Sequence, residues 1–214
     1  MDISAIRPFL RARRNHSTVT SGLAPHVPPD YDDGDVAGGI AFAGVRLQLS
    51  VAERPSVSTR PACAPGDDGF LLALYASTRR AELAGFGWPE LAQDAFIRMQ
   101  FDAQSRYYRQ TFPDADYSVI CLDGERAGRL IVDRRGDEMH IVDIALMPQC
   151  RGLGVGGGLI RRLLAEADAG RLSVSLHVLR GSAACQFWER AGFAPRGGDE
   201  AYLAMERVCE TLPT

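Results

Sequence analysis

A glycine-rich stretch at residues 149–158, with the sequence QCRGLGVGGG, constrains the fold more than any other part of the chain. A short, mostly apolar run at residues 140–146 precedes it. Apolar residues at helical spacing follow it, at Leu159, Ile160 and Leu163. This order predicts a strand, a tight turn and a helix. Glycines at a helix start let backbone N–H groups approach a ligand without hindrance from Cβ, and the helix dipole favours an anion there. The stretch therefore predicts a site for a phosphorylated cofactor.

Two common phosphate-binding loops do not fit this stretch. A nucleotide P-loop requires a Gly-Lys-Ser/Thr ending, and all 24 Lys and Arg residues of this chain are arginine. The dinucleotide fingerprint G-x-G-x-x-G matches at Gly152, Gly154 and Gly157. That fingerprint also requires an acidic residue about 20 positions later, at the end of the next strand. The predicted next strand, at residues 172–179, ends without one, and the remaining chain is too short to complete a doubly wound sheet.

A third kind of loop fits. The segment DIALMPQCRGLGVG at residues 143–156 resembles the signature of the GNAT family of N-acetyltransferases, Q/R-x-x-G-x-G/A. Two frames match this signature, one beginning at Gln149 and one at Arg151. We favour the second frame. In the family, the motif arginine usually lies three residues after the proline that ends the strand, and Arg151 lies three residues after Pro148.

The resemblance extends from about residue 56 to residue 207. Near the C-terminus, FWERAGF at residues 187–193 is similar to the end of a family helix, F-Y-E-R-x-G-F. The local signals for strands, helices and turns give the order β-α-α-β-β-β-α-β-α-β-β, which is the order of the family. We therefore expect a mixed α+β chain with the GNAT acyl-CoA N-acyltransferase fold, in which helices flank a mostly antiparallel central sheet.

The resemblance implies a cofactor and the residues that hold it. Acetyl-CoA is expected to lie between the strand that ends at Leu146 and the strand that ends at Leu179. Its pantetheine arm would bond to the backbone of one strand, like an added strand, and its pyrophosphate would meet the N–H groups of the turn. The expected cofactor-binding residues are Ile144, Ala145, Leu146, Arg151, Gly152, Leu153, Gly154, Val155, Gly156, Gly157 and Trp188.

The sequence constrains the catalytic residues less than it constrains the cofactor-binding residues. Asp143 lies on the cofactor strand near the expected position of the acetyl group, and we predict it as the proton acceptor. Glu82 lies in the region that usually forms the acceptor pocket, and we predict that it contacts the substrate ammonium. His140 and His177 are weaker alternatives. A structural hydrogen-bonding role for Asp143 stays open.

Two positions depart from the family pattern. Many members have an asparagine that orients pantetheine and, seven residues later, a tyrosine that protonates the departing thiolate. Gly181 and Trp188 occupy these positions here, and an indole N–H is not a useful acid. Cys185 is a weaker substitute, because a small core cysteine is the common case.

Composition excludes several other classes of protein. A net charge of −3 argues against general nucleic-acid binding. The cysteines form no C-x-x-C pair, so no metal site is expected. No apolar run is long enough to span a membrane, and the arginine-rich N-terminus has no apolar segment after it, so no secretory signal is expected. We therefore expect a cytoplasmic protein, and a homodimer is left open.

The chain divides into two predicted parts. Residues 1–55 are rich in proline, aspartate and turn signals and are predicted to be a flexible or partly ordered extension, with one candidate strand at residues 44–51. Residues 56–210 are predicted to form the GNAT domain. The expected activity is acetyl transfer from acetyl-CoA to a primary amine of a small molecule or amino-acid-like acceptor, by direct attack. Two alternatives stay open: a catalytically weak acyl-CoA-binding or regulatory module, and a protein or peptide N-acetyltransferase.

Overall fold

The computed structural model describes residues 55–209. The predicted N-terminal extension and its candidate strand lie outside the described residues, apart from residue 55. The first half of the described chain contains β1 (Val57–Pro61), α1 (Asp68–Ala84), α2 (Glu90–Thr111), β2 (Asp116–Leu122), β3 (Glu125–Arg135) and β4 (Glu138–Leu146). A 3₁₀ turn (Pro148–Cys150) follows, and then α3 (Val155–Gly170), β5 (Ser173–Leu179), α4 (Ala183–Arg190), β6 (Ala194–Gly198) and β7 (Tyr202–Arg207). The predicted order of elements is confirmed.

Within residues 55–209 the strands form one seven-stranded sheet in the order β1-β2-β3-β4-β5-β7-β6. Only β4 and β5 run parallel among the neighbouring pairs; the other pairs are antiparallel. A parallel pair requires a crossover connection, and α3 supplies it. The expected mixed fold with a mostly antiparallel sheet is therefore confirmed.

The largest hydrophobic core joins the sheet to α3 and α4. Met139, Ile141, Ile144 and Leu146 of β4 belong to it, and so do apolar residues of α3 such as Leu159. Two smaller clusters form around α1 and α2: one joins the two helices, and the other joins the end of α2 to β3 and β4. The sheet is therefore covered differently on its two faces, and α2 approaches β4 at a cluster that includes Tyr108 and Val142.

The buried face of α2 differs from the one that the sequence pattern predicts. The spacing of Phe96, Met99 and Tyr107 predicts one buried stripe, but Met99 is 53% exposed. Ile97 and Tyr108 are the deeply buried residues instead. The helix mixes apolar and polar residues around most of its surface. Its orientation is therefore set by contacts with α1 and the sheet, which the local pattern does not contain.

Asp67 is the N-cap residue of α1, a position at which an aspartate is expected to cap the helix with its side chain. Its side chain makes no capping hydrogen bond to α1. Both carboxylate oxygens accept hydrogen bonds from Arg60, at 2.7 Å, and one also accepts from the backbone N–H of Cys63, at 2.9 Å. An ionised carboxylate that is offered a two-pronged guanidinium forms the stronger, charge-assisted bonds. Asp67 therefore ties the start of α1 to β1.

Gly128 lets β3 and β4 approach closely at the centre of the sheet. A Cβ on Gly128 would lie 2.2 Å from the carbonyl oxygen of Ala145 and 2.8 Å from Cδ2 of Leu146. Any side chain would therefore push β3 away from β4. The close approach holds in place the part of β4 that carries the expected cofactor-binding residues.

Candidate active site

The glycine turn has the geometry that an anion site requires. Gly152 and Gly154 have φ angles of 76° and 77°, a left-handed conformation that favours glycine. Gly154 is the N-cap of α3 and carries no capping side chain, so the first N–H groups of the helix lack intrahelical partners. A Cβ on Gly154 or Gly157 would meet no protein atom within 4 Å. The helix N-terminus therefore opens onto free space, as a bound phosphate would need.

Arg151 fastens this turn to the end of β4. Its Nε donates a hydrogen bond to the carbonyl oxygen of Leu146, at 2.9 Å. The side chain is partly buried, whereas Gln149 is exposed in the 3₁₀ turn. This contact supports the motif frame that begins at Arg151. It indicates that the arginine braces the loop.

β4 has an open edge beside the glycine turn. Its pairing with β5 runs from Glu138 opposite Ser173 to Ile141 opposite Leu176. Beyond that point β4 pairs with β3 up to Leu146, while β5 pairs with β7. The two central strands therefore separate, and the backbone of Ile144, Ala145 and Leu146 faces the gap between them. An extended ligand can bond to such an edge as an added strand does.

Asp143 lies in a buried ion pair. Its Oδ2 accepts a hydrogen bond from Nε of Arg129, at 2.7 Å, and each side chain is at most one-tenth exposed. Arg129 also donates to Oε1 of Gln104, at 3.1 Å, and lies over the ring of Tyr108. Burial raises the pKa of Asp143 above its ordinary value, and Arg129 opposes this rise. The guanidinium therefore holds the predicted proton acceptor in place.

Glu82 lies on the surface of α1. Its side chain is 63% exposed, and its carboxylate accepts a hydrogen bond from NH1 of Arg79, one helical turn earlier, at 2.9 Å. Arg79 is mostly buried and lies over the ring of Tyr75. Glu82 and Asp143 therefore have different partners, and none of their described contacts joins them.

Trp188 is completely buried in the main core. Its ring contacts Phe187 and Phe193, with centroid separations of 5.0 and 5.1 Å. Within residues 55–209, its Nε1 has no hydrogen-bond partner. A buried polar atom without a partner is uncommon and costly. Cys185, the weaker substitute acid, donates its thiol hydrogen to the carbonyl of Leu179.

His140 and His177, the weaker alternatives of the sequence analysis, form a cluster where β4 and β5 begin to separate. His140 immediately precedes Ile141, the last β4 residue paired with β5, and its ring lies 5.6 Å from that of His177. Nδ1 of His140 lies 2.7 Å from Oγ of Ser175, which in turn donates to Glu138. These residues are far apart in sequence. Only the parallel register of β4 and β5 brings them together, so sequence analysis missed the cluster.

The environment of His140 keeps its imidazole neutral. Burial lowers its pKa to about 4, and His177 adds to the effect. Ser175 has one hydroxyl hydrogen, which it donates to Glu138, so its oxygen must accept from Nδ1–H of His140. That tautomer leaves a lone pair on Nε2.

The lowered pKa of His140 predicts a loss of stability in mild acid. In unfolded chains histidine titrates near pH 6.5, so between about pH 6.5 and pH 4 the unfolded state binds a proton that the folded state excludes. Acidification from pH 7 to pH 5 should therefore lower the free energy of unfolding by about 2 kcal/mol through this group. The measurement is urea unfolding at both pH values, in the unaltered protein and in His140→Asn. An equal pH dependence in the two proteins would contradict the prediction.

The described residues contain neither a cluster of potential metal ligands nor a membrane-spanning helix. No group of three or more His, Cys, Asp or Glu side chains in residues 55–209 could hold a metal ion. All five cysteines lie in this part of the chain and are free. None of its helices is long and apolar enough to cross a membrane.

Comparison with known proteins agrees with this geometry. The fold matches the paia N-acetyltransferase of Thermoplasma acidophilum in complex with coenzyme A, with a TM-score of 0.55 and 18% identity over 72% of this chain and 99% of that chain. A protein named histone acetyltransferase HPA2 and related acetyltransferase, from Corynebacterium glutamicum, has a TM-score of 0.51 and 20% identity over 75% and 99% of the two chains. At these identities the likeness shows the fold alone.

A third solved structure shares the fold, and a family model matches the sequence. The ribosomal-protein-S18-alanine N-acetyltransferase of Escherichia coli has a TM-score of 0.50 and 16% identity over 74% of this chain and 97% of that chain. The sequence model of the Acetyltransferase (GNAT) family matches residues 69–193, which is more than half of the chain. The chain therefore belongs to the GNAT family of acetyltransferases.

Proposed function

We propose that this protein transfers the acetyl group of acetyl-CoA to a primary amine of a small molecule or amino-acid-like acceptor, by direct attack of the amine. The observation that carries the proposal is the open edge of β4 beside the glycine turn. An extended arm can lie along this edge while a phosphate group meets the start of α3. Acetyl-CoA is the cosubstrate of the family and has both features.

The residues of the site fit this cosubstrate. The N–H groups of Gly152, Leu153, Gly154, Val155, Gly156 and Gly157 would meet the pyrophosphate, and the backbone of Ile144, Ala145 and Leu146 would bond to the pantetheine arm. The open space at Gly154 and Gly157 supports the first contact, because a side chain there would fill it. The unpartnered Nε1 of Trp188 supports a contact with the arm, which would satisfy this donor.

The thioester supplies an activated acetyl group, and the protein supplies position and a route for the proton. Holding the amine against the thioester accounts for much of the rate in reactions of this type. A backbone N–H on the open edge of β4 would polarise the carbonyl as the C–S bond breaks.

Asp143 and Glu82 stay predictions as catalytic residues. The hydrogen bond from Arg129 favours a positioning role for Asp143. If Asp143 took up a proton and left the guanidinium, Arg129 would remain as an unpaired buried charge. Glu82 lies on the surface with Arg79 and has no described contact that reaches the gap between β4 and β5.

The second candidate function is an acyl-CoA-binding module with weak or no transferase activity. Trp188 favours it, because this core residue occupies the position of the family's tyrosine acid. In that case the protein would bind acetyl-CoA and transfer no acetyl group. A protein or peptide acceptor is the third alternative, and a cytoplasmic location and a homodimer also stay predictions.

Calorimetry and an acetyl-transfer assay test these alternatives in order. Titration with acetyl-CoA at up to about 1 mM should show binding, since a useful affinity lies well below that concentration. Absence of binding would overturn the proposed function and the binding-module alternative together. Transfer to pooled small amines, amino acids and peptides then separates the rest. Binding without any transfer supports the module, and transfer to peptides alone supports a protein acceptor.

A further inference from the structure

A cavity of about 270 Å³ lies on the α2 side of the sheet, where β4 and β5 begin. The end of α2, the end of β3 and the first residues of β4 and β5 form its walls. Its volume suits a small molecule of a few heavy atoms. The residues that give the cavity its chemistry are Phe112, Asp133, Glu138, His140, Ser175 and His177.

Asp133 gives this cavity a buried carboxylate with unused acceptor capacity. The residue is only 1% exposed; its Oδ2 is paired with Arg135, and within the described residues its Oδ1 has no hydrogen-bond partner. Nε of Arg135 lies 2.5 Å from Oδ2 as an ion pair, but the Arg135 side chain is 61% exposed and also bonds to the carbonyl of Thr111. A buried carboxylate oxygen without a donor is costly. A cationic ligand in the cavity would supply that donor.

The charges of the cavity favour a cation as well. Asp133 and Glu138 contribute two carboxylates against the single guanidinium of Arg135, and His140 is neutral at physiological pH. A carboxylate-bearing ligand would therefore face repulsion from Asp133 and Glu138.

His140 and its partners provide a route for a proton out of the cavity. Nε2 has a lone pair, and Nδ1–H donates to Ser175, whose hydroxyl donates to Glu138. When Nε2 accepts a proton, Nδ1 can pass its own proton to Ser175, and Ser175 can pass its hydroxyl proton to Glu138. His140 never holds an extra proton for long, and the exposed Glu138 releases it to solvent.

The cavity adjoins the point at which the thioester is expected. From Leu146 to Ile141 the edge of β4 spans about 17 Å at about 3.3–3.4 Å per residue. A pantetheine arm that starts at the glycine turn and follows this edge points its sulfur toward Ile141, where β4 and β5 converge. His140 and His177 flank that convergence on the cavity side.

We propose that this cavity is the acceptor subsite and that it takes a small primary amine carrying a second positive charge and no carboxylate. Asp133 binds the distant cation, and the reacting nitrogen lies at Nε2 of His140. A cation on a carboxylate holds its proton more tightly, so the nitrogen that reacts must be a different one. This inference rests on the proposed acetyltransferase function.

The atoms of the reaction balance through this route. The reacting ammonium gives one proton to Nε2 of His140, and the chain to Glu138 carries a proton to solvent. The free nitrogen forms a C–N bond to the acetyl carbon while the C–S bond breaks. The second proton of the nitrogen goes to the departing thiolate. The products are the acetamide, free coenzyme A and one released proton.

Matched acceptors test the second charge. Putrescine, butylamine and γ-aminobutyrate have carbon chains of equal length that end in an ammonium, a methyl group and a carboxylate. With acetyl-CoA as donor, kcat/KM for putrescine should exceed that for butylamine by about tenfold or more, as expected for one charge-assisted hydrogen bond. γ-Aminobutyrate should be the poorest acceptor. Equal values for putrescine and butylamine would overturn the inference.

Substitutions in the cavity test which side chains cause the preference for putrescine. Asp133→Asn should reduce the preference for putrescine to near unity and leave the affinity for acetyl-CoA unchanged, whereas Asp137→Asn in the exposed β3–β4 turn should alter neither. If Asp133→Asn does not fold, Glu138→Gln provides the second test and should lower the same preference. His140→Asn, which keeps a donor for Ser175, should lower kcat by roughly 10²–10⁴-fold. An unchanged preference in the carboxylate variant, or an unchanged kcat in His140→Asn, would overturn the assignment.

Direct binding separates a failure of this inference from a failure of the proposed function. Calorimetric titration of the full chain with putrescine alone should show binding that Asp133→Asn weakens. Acetyl-CoA binding and transfer to other amines, without any role for Asp133, would overturn the subsite and leave the proposed function intact. Failure to bind acetyl-CoA would overturn the proposed function, and the putrescine titration would still decide whether the cavity binds a dication.

Discussion

Replacement of Gly154 by valine is expected to lower the affinity for acetyl-CoA by about 100-fold or more. Gly154 has a φ of 77°, a conformation that a β-branched residue adopts only under strain. Its missing Cβ also leaves open the space in front of the first N–H groups of α3. The substitution would therefore misplace the turn and fill the approach of the pyrophosphate, so charge-assisted bonds are lost. Isothermal titration with acetyl-CoA is the measurement.

Two control variants separate the site from general strain. Gly136, in the turn between β3 and β4, has a φ of 53° and an open environment for a Cβ, so Gly136→Val introduces comparable strain away from the glycine turn and should leave the affinity unchanged. Arg151→Ala should weaken binding less than Gly154→Val, because it removes one brace to Leu146 and leaves the N–H groups exposed. Wild-type affinity in Gly154→Val would refute the placement of the cosubstrate.

The glycine turn and the order of elements were predictable because their signals are local. Positive φ angles, a helix start and apolar periodicity are all encoded within a few neighbouring residues, and the structure has them at Gly152, Gly154 and α3. The hairpin turn at Asp123 and Gly124 is another example, since both residues have positive φ as an Asp-Gly turn requires.

Contacts across the sheet were not predictable from the same signals. Arg129 and Asp143 meet because β3 pairs with β4 in a register that shifts between Ile131 and Val132. A register shift changes which side chains share a face of the sheet, and no local pattern in the sequence fixes it. His140 and Ser175 meet through the parallel pairing of β4 and β5, for the same reason. Structural features that depend on one element were therefore predictable, and the polar partners that a second strand supplies were not.

Loss of the carboxylate of Asp143 is expected to destabilise the fold strongly. In Asp143→Leu the Arg129 guanidinium would stay buried without a carboxylate, beside the neutral groups of Gln104 and Tyr108. Removal of one partner of a buried ion pair typically costs about 3–5 kcal/mol. The free energy of unfolding from urea titration is the measurement. Asp94→Leu is the control, because Asp94 and Arg80 form a half-exposed ion pair, and its loss should cost less than about 1 kcal/mol.

The double variant Arg129→Met/Asp143→Leu should recover much of the stability that Asp143→Leu loses, because it leaves no unpaired buried charge. If the losses of stability in Arg129→Met and Asp143→Leu add up to the loss in the double variant, the two side chains do not stabilise each other.

The variant Asp143→Asn tests the role of Asp143 in catalysis. If Asp143 accepts the proton of the amine, this variant should fold, bind acetyl-CoA normally and lose roughly 10²–10⁴-fold in kcat. If Asp143 only positions Arg129, the loss of stability should dominate, and kcat of the folded fraction should change far less.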